Sequence, residues 1–90
     1  IGSDCLIGSY VSIADCDFHD LGPETRHTSQ GSKQPVHIGN NVWLGTGVTI
    51  LKGVTVGDNS VIGAMSVVTK TIPKDCVAAG NPARVIRSLR

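Results

Sequence analysis

Apolar residues along the centre of the chain fall on a strict period of six. Ile38, Leu44, Ile50, Val56, Ile62 and Val68 open six successive blocks, and Val42, Val48, Val54, Ser60, Ser66 and Ile72 take the fifth place of each. No helical stripe at i, i+3, i+4 and i+7 continues beyond one turn. The parity suits short strands, because Val42 and Leu44 lie two apart and face one way, with Trp43 facing the other. A six-residue repeat of this kind predicts a parallel β-helix of stacked coils. If three blocks make one coil, Gly45-Thr46 lies one strand spacing, about 4.8 Å, beneath Gly63-Ala64. Both corners carry little side chain, so a ligand running along the stack meets bare backbone N–H and C=O groups.

The first eighteen residues keep the same register, as IGSDCL, IGSYVS and IADCDF. They begin in mid-repeat with no cap, which leaves unpaired strand edges at that end. The expectation is the C-terminal part of a longer protein, or a minimal solenoid covered by something else. Register then breaks. A block at 32–37 counts back correctly from Ile38, which makes residues 19–31, HDLGPETRHTSQG, an insertion. One domain over residues 1–90 is therefore expected, with repeats at 1–18 and 32–73, an inserted loop at 19–31 and a C-terminal cap at 74–90.

A polar insertion of this length in so regular a chain is either a tolerated loop or a functional one. His19 and His27 fall in it, and Asp17 just before it takes a fifth place otherwise held by small or apolar residues. Rule-breaking residues beside an insertion favour function. After Pro73 the repeat stops. Asn81-Pro82 suits a helix start, and 82–90 reads as a short helix or an extended cap. Val85, Ile86 and Leu89 would then cover the solenoid end, with Arg84, Arg87 and Arg90 outside that face.

Composition narrows the picture. Hydrophobic residues make up 40% of the 90 and aromatics only 3%, so the core must be built from Val, Ile and Ala. Net charge is +1, which gives no overall bias toward nucleic acid. The charges are unevenly spread, however. Five acids and no bases lie from Asp4 to Glu24, while five bases and one acid, Asp75, lie from Lys70 onward. A basic end on a nearly neutral chain suits a specific small anion such as a phosphate. Cys5, Cys16 and Cys76 are odd in number and lack CxxC spacing, which fits reduced thiols in a cytoplasmic protein. The apolar runs are far too short for a signal peptide or membrane span.

The stretches IGNNVWLG, GVTVGDNSVIGAMSVVTKTIP and VAAGNPARVI closely resemble the hexapeptide-repeat acyltransferases, above all the maltose, galactoside and other sugar O-acetyltransferases. The similarity covers essentially the whole chain. It implies an all-β fold, a single-stranded left-handed parallel β-helix with one protruding loop and a C-terminal cap, a handedness opposite to the usual crossover. It also implies a homotrimer with active sites between subunits, acetyl-CoA as donor, a small hydroxyl-bearing acceptor, and no metal, nucleic acid or membrane. His19 matches the family's catalytic base. Gly45, Thr46, Gly63, Ala64, Thr69, Lys70, Arg84 and Arg87 match its CoA contacts. Trp43 matches a tryptophan near the thioester, and Asp17 is placed to orient His19 or contact the acceptor. Met65 stands where the family often has Gly. The N-terminal segment that supplies acceptor contacts in the sugar enzymes has no counterpart in these residues.

The chemistry is consistent with that assignment. Acetyl transfer to a hydroxyl needs a base, an oxyanion donor and a water-poor groove. An unperturbed imidazole pKa of about 6.5 leaves neutral His available at pH 7. Backbone N–H groups or the Trp43 N–H would hold the developing oxyanion. Blander readings stand beside these. Lys70, Arg84 and Arg87 serve equally as solubilising charges, and Trp43 as a subunit-interface aromatic. A zinc site on His19, His27 and His37, as in the trimeric β-helix carbonic anhydrases, requires converging ligands, and these three share no coil spacing. The non-enzyme alternative is a bare structural or trimerisation β-helix; its ice-binding form requires threonines stacked every coil, yet Thr46 is followed by Ala64 and Thr49 by Val67.

Overall fold

Two-residue strands recur at the block boundaries, where each opening aliphatic follows an outward-facing neighbour. The structure is a computed structural model and describes residues 1–14 and 34–89. The strands are β1 (Leu6–Ile7), β2 (Ser12–Ile13), β3 (His37–Ile38), β4 (Trp43–Leu44), β5 (Thr49–Ile50), β6 (Thr55–Val56), β7 (Val61–Ile62) and β8 (Val67–Val68). Two longer strands follow, β9 (Cys76–Gly80) and β10 (Ala83–Ser88). No helix occurs among the described residues.

The strands form three ladders, β1-β4-β7-β9-β10, β2-β5-β8 and β3-β6, the last extended by a bridge from Val56 to Ile72. Pairing within the repeats is parallel, Trp43 with Val61, Thr49 with Val67 and His37 with Thr55. The chain visits the first, second and third ladders in turn, so equivalent residues stack eighteen positions apart, as between Leu44 and Ile62.

Every opening and fifth-place residue from Ile38 to Ile72 is buried, none more than 5% exposed. At about 25 cal/mol per Å² of apolar surface, this double row is the main stabilising element of so small a chain. Ile7 and Ile13 hold the same positions yet are 46% and 36% exposed, because a coil lies against them on one side only. Among the described residues no buried side-chain polar atom lacks a partner.

Ile13 lies on the second ladder and Ile38 on the third, and the expected insertion at 19–31 lies outside the described residues. One expectation is corrected here, the helical option for 82–90. The segment is β10, antiparallel to β9 and extended. The free edge of β9 offers main-chain partners, Gly80 turns the chain at φ 107°, and β-branched Val85 and Ile86 favour a strand. Val85, Ile86 and Leu89 consequently stay exposed instead of covering the stack end. Leu89 N–H donates to Asp75 O at 2.7 Å and ties down the end of the hairpin.

Candidate functional site

The corner leaving the first ladder is where the stacked backbone lies bare. Gly45-Thr46 sits against Gly63-Ala64 as the register requires, with Gly45 N–H donating to Ile62 O at 2.9 Å and Met65 N–H to Thr46 O at 2.8 Å. Glycine is needed here by close approach. A Cβ on Gly45 would fall 2.7 Å from Ala64 N, and one on Gly63 would fall 3.1 Å from Ala79 Cβ. Thr46 and Ala64 are exposed, and their N–H groups donate no hydrogen bond among the described residues. They are free to meet a ligand lying along the column.

The next residue of this corner is left-handed in each coil, at Tyr10 (φ 60°), Gly47 (φ 74°) and Met65 (φ 61°). Such φ values suit Gly and cost a long side chain. Met65 is 72% exposed and lays its thioether across Gly47, so it walls one side of the bare column.

The basic residues enter from the far end of the stack. In β10, Arg84 lies opposite Ala79, the residue that rests on Gly63. Arg87 lies opposite Val77, which continues the outward row Trp43, Val61, Val77 of the first ladder. Both arginines are exposed, as are Thr69 and Lys70 in the next corner, just after β8. Trp43 is 53% exposed between Leu6 and Val61, immediately before the Gly45 corner. The fold thus brings Trp43, Gly45, Thr46, Gly63, Ala64 and Arg84 to one ladder and its corner, with Arg87 on the same outer row. Thr69 and Lys70 sit one corner away, just after β8 of the second ladder, which β10 approaches. Asp17, His19 and His27 lie outside the described residues, and His37 is exposed on β3 beside Thr55.

Sequence reasoning passed over Ala79 and Gly80, which complete the column above Gly63, because the repeat has lapsed by then. It also treated Ser60 and Ser66 as ordinary fifth places. Their polarity, where other blocks carry Val or Ile, was the available signal.

Stacked two-residue strands with two inward side chains in every six define a hexapeptide-repeat protein. Comparison agrees: the sequence model of "Bacterial transferase hexapeptide (six repeats)" matches residues 35–70. Galactoside O-acetyltransferase of Escherichia coli (strain K12) is 49% identical over 89 residues, which cover 99% of this chain and 43% of that protein. A solved galactoside acetyltransferase in complex with coenzyme A superposes with a TM-score of 0.92 at 48% identity, over 98% of this chain and 44% of the other. The maltose O-acetyltransferase of Clostridium difficile 630 superposes with a TM-score of 0.90 at 45% identity, over 97% and 46%. The chain is a hexapeptide-repeat protein, similar over nearly its whole length to these acetyltransferases, and it spans under half the length of each of the three relatives named here.

Proposed function

We propose that this chain is the donor-binding, left-handed β-helical part of a cytoplasmic, acetyl-CoA-dependent O-acetyltransferase. It passes an acetyl group to a hydroxyl of a small acceptor, a sugar being the class that the relatives' names favour. The observation that carries the reading is the bare column of Gly45-Thr46 on Gly63-Ala64, with Arg84 at its head. A relative of the same fold is solved with coenzyme A, which supports it.

In this reading CoA lies along the column. Its amide-bearing arm meets the open N–H groups of Thr46 and Ala64, and its phosphates meet Lys70, Arg84 and Arg87, with Thr69 beside them. Arginine suits that task because its planar fork binds phosphate oxygens in pairs. The thioester then points toward Trp43. His19 takes the proton of the acceptor hydroxyl as the oxygen attacks the thioester carbonyl, and the C–S bond breaks to release CoA. Asp17 orients the imidazole or holds the acceptor. The neighbouring copy of a homotrimer closes the groove, and the apolar outer row Leu6, Trp43, Val61 and Val77 suits such a contact.

Thermal unfolding with and without ligand tests the reading. A bound donor stabilises by about 2.7 kcal/mol at a hundredfold excess over its Kd. CoA should therefore raise the melting temperature, and dephospho-CoA should do so less if Arg84 and Arg87 read the 3′-phosphate. No shift with either, for a trimer verified by light scattering, sinks the donor site. A stable monomer at micromolar concentration counts against an active site shared between copies. A panel of sugars, amino acids and hydroxylated antibiotics then finds the acceptor.

A further inference from the structure

The last step of the first ladder breaks the period. Val61 pairs with Val77, sixteen positions on, where Trp43 pairs with Val61, eighteen on. At this step, and in no earlier block from Ile38 on, the fifth place is serine. Ser60 and Ser66 are 0% and 1% exposed, one on either side of β7 in the chain. Ser60 Oγ donates to Pro73 O at 2.7 Å and accepts from Cys76 N–H at 3.3 Å. Ser66 Oγ accepts from Gly80 N–H at 3.0 Å. Cys76 and Gly80 are the first and last residues of β9. The two hydroxyls grip β9 by its ends.

Each grip lies beside one arginine. Gly80 pairs with Ala83 next to Arg84, and Cys76 pairs with Ser88 next to Arg87. We infer that Ser60 and Ser66 are positioning residues for donor binding, Ser66 setting the height of Arg84 and Ser60 that of Arg87 at the CoA phosphates. The inference rests on the donor reading above. An aliphatic at either place fills the core equally well, but it leaves a main-chain N–H without its acceptor and lets that end of the hairpin shift.

The test compares CoA with dephospho-CoA on the assembled protein, for wild type, Ser66→Ala, Ser60→Ala, Arg84→Ala, Arg87→Ala and the paired variants. A hydrogen bond to a charged group corresponds to roughly 10- to 100-fold in affinity. Wild type should prefer CoA by that order. Ser66→Ala should lose much of the preference and add little to Arg84→Ala, while remaining additive with Arg87→Ala; Ser60→Ala should show the converse coupling. Equal loss for both nucleotides, or full additivity in every pair, assigns the serines to stability alone and overturns the inference. A wild type that does not distinguish the nucleotides overturns the arginine reading itself. Amide exchange on the wild-type protein needs no variant to fold. Cys76 and Gly80 N–H should exchange as slowly as Gly63 N–H, and exchange as fast as an exposed turn removes the clamp.

Discussion

Two corners of the same coil are built in opposite ways. Leaving the third ladder, the turn residues are Asn40-Asn41, Asp58-Asn59 and, one step on, Asp75, and their side chains are stapled from coil to coil. Asn41 Nδ2 donates to Asn59 Oδ1 at 3.1 Å, and Asn59 Nδ2 donates to Asp75 Oδ1 at 2.7 Å. Asp58 Oδ1 accepts from Asn40 N–H at 2.7 Å, and Asn40 Oδ1 from Ser3 N–H at 2.9 Å. Asn41, Asn59 and Asp75 are all left-handed, the conformation Asn and Asp tolerate best among residues with a Cβ. The corner leaving the first ladder has the same backbone shape but Gly, Thr and Ala in place of the ladder, and Met65 and Tyr10 at its left-handed positions. One corner spends its side chains on bonds from coil to coil, and the other carries no side chain that answers the Thr46 and Ala64 N–H groups among the described residues. A repeat with one shape can thus divide structural from ligand-binding work by side-chain choice alone.

The largest expected effect separates donor binding at the bare corner from acid–base chemistry. General-base assistance is worth about 10²- to 10⁴-fold in rate. His19→Ala should lower acetyl transfer by that order while the CoA-induced rise in melting temperature persists, and His27→Ala should do far less. Wild-type turnover should fall at acid pH, because a protonated imidazole no longer serves as a base. Near-full turnover of His19→Ala in a chemistry-limited assay would make the assignment wrong.

Closing the bare corner comes next. Gly45→Ala places a Cβ 2.7 Å from Ala64 N, so the backbone has to move. Overfilling of this kind costs about 1–3 kcal/mol, read by denaturant unfolding, and the variant should also lose its response to CoA. A stable variant that still responds fully would show that the column is not the donor path.

Cutting the staple should act on stability alone. Asn59→Ala removes both of its ladder bonds and puts Ala at φ 64°. A loss of about 1–3 kcal/mol is expected, with the CoA-induced shift unchanged. A diminished shift would erase the contrast between the corners.

The smallest effect has the opposite sign. Met65→Gly relieves a left-handed residue at φ 61°, a conformation that costs a side chain roughly 1 kcal/mol, partly offset by the freer unfolded chain. The variant should be as stable as wild type or slightly more so, with CoA affinity altered because the wall over Gly47 is gone. Unchanged affinity would remove Met65 from the groove.

Much of this was legible in the chain because the period of six ties burial to position. From Ile38 to Ile72 the opening and fifth places are all buried, as the alternation of neighbouring side chains requires. The stacking of Gly45-Thr46 on Gly63-Ala64 followed from three blocks per coil with no further information. The C-terminal segment was less legible. Asn81-Pro82 and the spacing of Val85, Ile86 and Leu89 fit a helix start, but local preference is a weak guide where an open strand edge lies within reach.

The sequence by itself determined the coil, its inward residues and its bare corner, because each depends only on spacing along the chain, while the family resemblance came from the particular residues of three stretches. Tertiary structure decided that the last segment is a strand and that Arg84 stands over Ala79 and Gly63. Those are matters of which backbone groups find partners across many residues. The sixteen-residue last step and the two serines that hold β9 belong to the same class. A hydroxyl in an inward place looks like a defect in the repeat until the N–H it accepts from is seen.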